Sequence, residues 1–198
     1  MALTKSKAAN IFTPEGNSLA VFIDVDDGQI KLKDVFGEVL PLSSASSNTY
    51  YAAFSSSVIQ TIGANVEKAI TVNTTDVTPI GIELVGDSEF KVLNNGVYNI
   101  AISAQVRHTT GGDSTTSWWF KVNGQNLSNS ATDMRLQGNN VEEVFYVNVF
   151  LDLNANDKVQ VFWSSTDAAS QLYAIGTRTS PIRPAVPSVI ITINSVAT

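Results

Sequence analysis

The sequence predicts an all-β protein, an antiparallel sandwich preceded by a small N-terminal β-meander. Three observations predict it. The 198 residues include 17 Asn, 21 Ser and 18 Thr, more than a quarter of the chain, against 15% charged residues; such small polar side chains compete with the backbone for hydrogen bonds and disfavour helix interiors. Apolar residues recur with period two in short runs, and clusters rich in Gly, Asn and Asp separate those runs. No stretch of ten or more residues keeps a helical period.

Residues 19–42, LAVFIDVDDGQIKLKDVFGEVLPL, open the pattern. Leu19, Val21, Ile23 and Val25 alternate with Ala20, Phe22 and Asp24, and Asp27-Gly28 offers the positive φ angles of a tight hairpin turn. Ile30 and Leu32 resume the alternation against Lys31 and Lys33, and a turn at Phe36-Gly37 leads to a third short strand with Val39, Leu40 and Leu42. Strands this few and short bury too little apolar area to fold well alone. The meander, residues 1–42, is therefore expected to dock on a partner.

Residues 43–49, SSASSNT, have the composition of a flexible connector and mark the domain boundary. From Tyr50 to the end of the chain, strands are expected at 50–62, 66–72, 80–85, 89–93, 97–106, 117–122, 134–136, 141–153, 158–164, 171–176 and 188–196. Turns fall at 94–96, 110–113, Asn123-Gly124, 138–140 and 154–157. Regular short strands with such turns belong to antiparallel sheets closed as a sandwich or barrel.

Two strands carry apolar residues on both faces. In 141–153, Phe145, Val147, Val149, Leu151 and Leu153 share one face, while Val144, Tyr146 and Phe150 stand on the other beside Asn148 and Asp152. Phe162 likewise opposes Val159, Val161 and Trp163. The second face is covered either by another subunit or by a second sheet and loops of the same chain.

Composition excludes much chemistry. The formal charge of −6 argues against nucleic acid as a partner. With no cysteine and one histidine, His108, the chain has no disulfide, thiolate nucleophile, Cys-ligated metal or His–His pair, and no cofactor is expected. The opening MALTKSKAANIF has no apolar run after its lysines, and no later run approaches membrane-spanning length, so no membrane association is expected. Asp24, Asp26 and Asp27 miss the EF-hand spacing, since Gln29 and Val35 stand where its glycine and bidentate acid belong. Glu142 and Glu143, adjacent on a strand, point to opposite faces and cannot flank one substrate atom. His108 is expected in a solvated loop, with no nucleophile-elbow motif beside it. Of Trp118 and Trp119, one is expected in the core and the other outward, for packing or for sugar or protein recognition.

The segment from Tyr50 to Thr198 resembles the jelly-roll heads of the TNF/C1q-like superfamily, in the version found in bacteriophage virion proteins. The pieces that carry the resemblance are YYAAFSSSVIQTI, GVYNIAISAQV, WWFKVNG, VNVFLDLNANDKVQVFWSS and PSVIITINSV, in that order. The segment AVFIDVDDGQIKLKDVFGEVLPLSS resembles the short module placed ahead of such heads. The resemblance implies a homotrimer with Tyr146, Phe150 and Phe162 at the subunit interface. It further implies a non-enzymatic structural protein of a tailed-phage virion, assembled in the host cytoplasm. In the leading version this is a capsid decoration, or cement, protein that binds the major capsid protein or other virion proteins and stabilises the shell. Its meander would attach to the particle through Val21, Ile23, Val25, Ile30 and Leu32. The alternative is a tail-fibre or receptor-binding head that contacts a host surface glycan through Trp119, His108 and the loop 109–116; a glycan-active enzyme ranks third.

Overall fold

The computed structural model describes residues 5–42 and 49–196. The chain divides into two compact units, Met1–Asn48 and Thr49–Thr198; residues 43–48 of the expected connector lie outside the described residues.

The first unit is a four-stranded sheet of β1 (Lys5–Ser6), β2 (Ala20–Asp24), β3 (Ile30–Lys33) and β4 (Val39–Pro41), in that order. β1 runs parallel to β2 and the other pairs are antiparallel. The expected two-residue hairpin turn is longer: β2 ends at Asp24 and β3 begins at Ile30. Only Gly28 in this connection takes a positive φ. Lys31 explains the geometry, because its ammonium meets Asp24 at 2.8 Å and Asp27 at 2.7 Å and draws the loop's carboxylates inward. An amine thus stands among the carboxylates that a calcium ion would have needed.

The second unit contains β5 (Tyr51–Ser56), β6 (Gln60–Thr61), β7 (Lys68–Ala69), β8 (Thr74–Ile80), β9 (Ile82–Val85), β10 (Glu89–Val92), β11 (Gly96–His108), β12 (Asp113–Val122), β13 (Gln125–Asn126), β14 (Thr132–Gln137), β15 (Val141–Leu153), β16 (Lys158–Ser165), β17 (Ser170–Leu172), β18 (Arg178–Thr179), β19 (Ile182–Arg183) and β20 (Val189–Ser195). Eight of these pair in a nested order. β5 pairs with β20, β10 with β16, β11 with β15 and β12 with β14, all antiparallel. Such nesting is what a long hairpin gives when it is rolled up, and the fold is an antiparallel jelly roll.

The rolled strands form two sheets. The first runs β8-β5-β20-β11-β15, with β17 and β6 extending one end; the second runs β9-β10-β16-β12-β14, with β7 and β13 at its margins. Gly81 lies where the chain passes from the first sheet to the second. Its φ of +70° and a Cβ position that would overlap the Tyr50 ring leave room for no other residue. Between the sheets, Trp118 of β12 stacks on Phe145 of β15 with centroids 4.2 Å apart, and Phe54 of β5 meets Phe90 of β10 at 5.3 Å. The aromatic packing joins the two layers.

Some expected elements differ, among them 171–176, which ends at Leu172, and one strand, β8, was not expected. The run 50–62 is broken after Ser56, and 66–72 keeps only Lys68–Ala69. The cause is Gln60, buried, whose amide donates to the Thr71 carbonyl and accepts from the Thr71 N–H, each at 2.9 Å. A side chain there replaces the strand ladder. β8 had no apolar alternation to reveal it; it is a polar edge strand that contains Pro79, as edges tolerate.

Candidate functional site

Alternation fixes what each sheet shows to its outside. In β11, Tyr98, Ile100, Ile102, Ala104 and Val106 are buried, so Asn99, Ala101, Ser103 and Gln105 face outward. Register carries this outward face across the first sheet. Phe150 pairs with Asn99, which pairs with Asn194 and then Tyr51; Tyr146 pairs with Ser103, then Ile190 and Ser55. Tyr146 is 63% exposed and Phe150 65%, and Val144, Ile190, Tyr51, Val77 and Ile80 are exposed with them. Charged residues stand only at the rim among the described residues: Arg107 and Glu142 at one end, Asp152 at the other, and Asp76 on the edge strand.

The second sheet's outside differs. Lys91 pairs with Glu83 at 3.0 Å, Lys158 with Glu89 at 2.8 Å, Lys121 with Glu67 at 2.7 Å, and Arg135 with Asp113. The Arg135 guanidinium holds the Asp113 carboxyl below its ordinary range. Phe162 lies on this face, stacked with Trp119 at 6.0 Å and capped by the Lys121 ammonium at 4.0 Å. Its expected place beside Tyr146 and Phe150 is corrected, since β16 and β15 belong to opposite sheets and the three residues do not share one face. Phe162 already has intramolecular cover.

Trp119 and His108 were expected to meet a receptor. Trp119 is half-buried, and its indole N–H donates to Asn126 at 3.0 Å. His108 is corrected from a solvated loop to the buried last residue of β11, with no exposed surface. Its Nδ1 donates to the Gly138 carbonyl at 3.2 Å, and its Nε2 lies 3.2 Å from Asp167 and 3.3 Å from the Thr110 hydroxyl. The Asp167 carboxyl is held below its usual range first by the Ala169 N–H and then by His108.

Behind this histidine is a buried hydroxyl chain that composition did not reveal. Ser114 Oγ lies 2.9 Å from the hydroxyls of both Ser165 and Ser170, and Ser165 donates to the Asp167 carbonyl at 2.8 Å. The serines bond to one another and to backbone. A nucleophile needs a base within reach, and His108 instead engages Gly138, Asp167 and Thr110. The cluster fastens three loops at one end of the sandwich.

In the first unit, Val21 pairs with Leu32 and Leu32 with Leu40, while Ile23 pairs with Ile30. Cross-strand partners share a face, so four of the five expected attachment residues, Val21, Ile23, Ile30 and Leu32, lie together. Val25 sits just beyond β2 and is exposed. Leu40 joins the four, a neighbour that only register reveals. The opposite face carries buried Ala20, Phe22 and Asp24, and Lys33 there donates to the Ile11 carbonyl at 2.7 Å.

No family model matches the chain, and no curated protein matches it. Among solved structures it is similar to murine APRIL. The form at pH 8.5 gives a TM-score of 0.47 at 10% identity, the form at pH 8.0 gives 0.48 at 9%, and the form at pH 5.0 gives 0.46 at 9%. Each comparison covers 75% of this chain and 100% of the other. The jelly-roll assignment rests on the nested strand pairing above.

Proposed function

We propose that the protein is a non-enzymatic structural protein whose head associates with copies of itself as a homotrimer, through the outward face of the first sheet. The observation that carries this reading is the composition of that face: large apolar side chains surround Asn, Ser and Thr, with charge confined to the rim. Exposed apolar patches of this kind mark association sites, and the absence of central charge suits a surface that meets its own copy. Light scattering of the full chain tests it. A mass three times the 21.2 kDa of one chain is expected, and a monomer at micromolar concentration would refute it.

Within that reading we place the protein in a tailed-phage virion, as a capsid decoration protein that adds buried area where shell subunits meet. Its support is the sequence resemblance of both the head and the short module ahead of it. Hundreds of copies per particle are expected in a quantitative gel of purified virions. A few copies would move the protein to a tail fibre. The receptor-binding alternative ranks lower, because His108 is buried and the Trp119 N–H is already bonded.

A further inference from the structure

The first unit has almost no interior. Among its described residues only Pro14, Ala20, Phe22 and Asp24 are buried, whereas its other sheet face sets Val21, Ile23, Ile30, Leu32 and Leu40 side by side with little to cover them. No charged residue shares this face on β2, β3 or β4; Lys5 stands at its β1 edge. A sheet that buries one face only thinly and leaves the other aliphatic is stable when something lies on that second face.

Size decides what the cover is. Three strands about 4.8 Å apart and about four residues long at ~3.3 Å per residue give a plan area of roughly 200 Å². Even doubled for side-chain relief, this falls well short of the ~800 Å² per partner that a stable contact between free proteins buries. A foreign protein held by this face alone would bind weakly. Copies of the same unit are in a different position. In sequence only residues 43–48 lie between the described part of the first unit and the head, so at most roughly 25 Å of chain joins them. Once heads associate, the small units meet at an effective concentration of about millimolar or more. A contact too small to form between free molecules then forms within the assembly.

We propose that the aliphatic face of β2, β3 and β4 packs against the same face of the other copies, making a second, tethered self-association site ahead of the head. The inference rests on the self-association reading of the head. It assigns Val21, Ile23, Ile30 and Leu32 to contacts between copies and leaves attachment to another surface of the unit.

The chain has no cysteine, so a single substitution supplies a unique thiol in the full-length protein. Val21→Cys and Leu40→Cys probe the face, and Glu15→Cys is the reference, exposed and outside the strands. In a preparation with trimeric mass, mild oxidation is expected to give covalent dimers of Val21→Cys and none of Glu15→Cys. The Leu40→Cys thiol should react with a soluble maleimide at least tenfold more slowly than that of Glu15→Cys. A trimer whose face thiols neither cross-link nor lose reactivity overturns this inference and leaves the head's assembly standing. A monomeric mass overturns both. Protection that arises only on assembled particles also overturns it, in favour of a foreign partner.

Discussion

The two sheets of the head have the same strand count in their nested core and the same inward alternation, yet their outsides follow opposite rules. On the second sheet each of four cations has a carboxylate partner within the chain, and the aromatic pair Trp119 and Phe162 is covered by Lys121 and Asn126. On the first sheet Tyr146 and Phe150 project, mostly exposed among the described residues, from rows of Asn, Ser, Thr and Ala. The lesson is that apolar content does not identify an interface. Both faces contain large aromatics; what separates them is whether polar groups of the same chain already satisfy and cover those rings.

The wall between the faces gives the largest effect. Trp118 is 1% exposed and stacks on both Phe145 and Trp163, so Trp118→Ala should cost about 3–5 kcal/mol of stability. Chemical denaturation is the measurement. An unchanged midpoint would mean that the sheets do not depend on this layer.

Next comes the face itself. A Tyr146→Asp, Phe150→Asp double variant replaces the two most exposed aromatics of this face, both on β15, with charges. Association should weaken at least ~100-fold, as expected when two large aromatic anchors are lost, and scattering should report monomer with the unfolding midpoint of the monomeric fold unchanged. The mirror variant Ser117→Asp, Ser164→Asp places charges on the second sheet's outside. It should leave the assembled mass as it was; if it dissociates the protein, the two faces have been assigned the wrong way round.

Trp119→Ala has a smaller effect, because the ring is half-buried, bonded once and stacked on Phe162. A loss of about 1–2 kcal/mol is expected, in the range of an aromatic pair plus partial burial, again without change of mass. Loss of trimer on this substitution would contradict the division between the faces.

Much of this contrast was legible in the sequence, and its limits have a physical origin. Period-two alternation located β15 as residues 141–153 and sorted its side chains correctly into two faces, because a strand's parity is local information. Which sheet a strand joins is not local. Phe162 was grouped with Tyr146 and Phe150 because all three break an apolar pattern, and only long-range pairing, β16 with β12 and β15 with β11, puts them on opposite sides. The same limit hid Val77 and Ile80, which lie on the polar edge strand β8 and reach the first face only through its pairing with β5. His108 was misplaced for a related reason. A histidine after an apolar run, followed by Thr-Thr-Gly-Gly, reads as solvated, while its burial is made by Gly138 and Asp167, 30 and 59 residues away. In the first unit the faces of β2 and β3 could be read directly, since parity along a strand is local, although the connection between them is longer than expected.

The smallest effect expected is electrostatic, and it separates the faces by pH. Asp113, on the second sheet's outside, has its carboxyl held below the ordinary range by Arg135. A folded-state value below the unfolded one contributes stability that is fully present above the unfolded carboxylate pKa, near 3.9, and is lost as pH falls through the folded value. The thermal midpoint should therefore stay flat from neutral pH down to about pH 5 as far as this pair is concerned, then decline on further acidification. Asp113→Asn should be slightly less stable than the parent at pH 6, and the difference should close in strong acid. Because the pair is solvent-exposed, the difference at pH 6 should be small. The first face has no carboxylate at its centre, so light scattering should show the same assembled mass from pH 8 to pH 5, whichever way Asp113 is changed. A mass that followed the Asp113 substitution would tie the charged face to assembly, and the contrast between the two outsides would no longer hold.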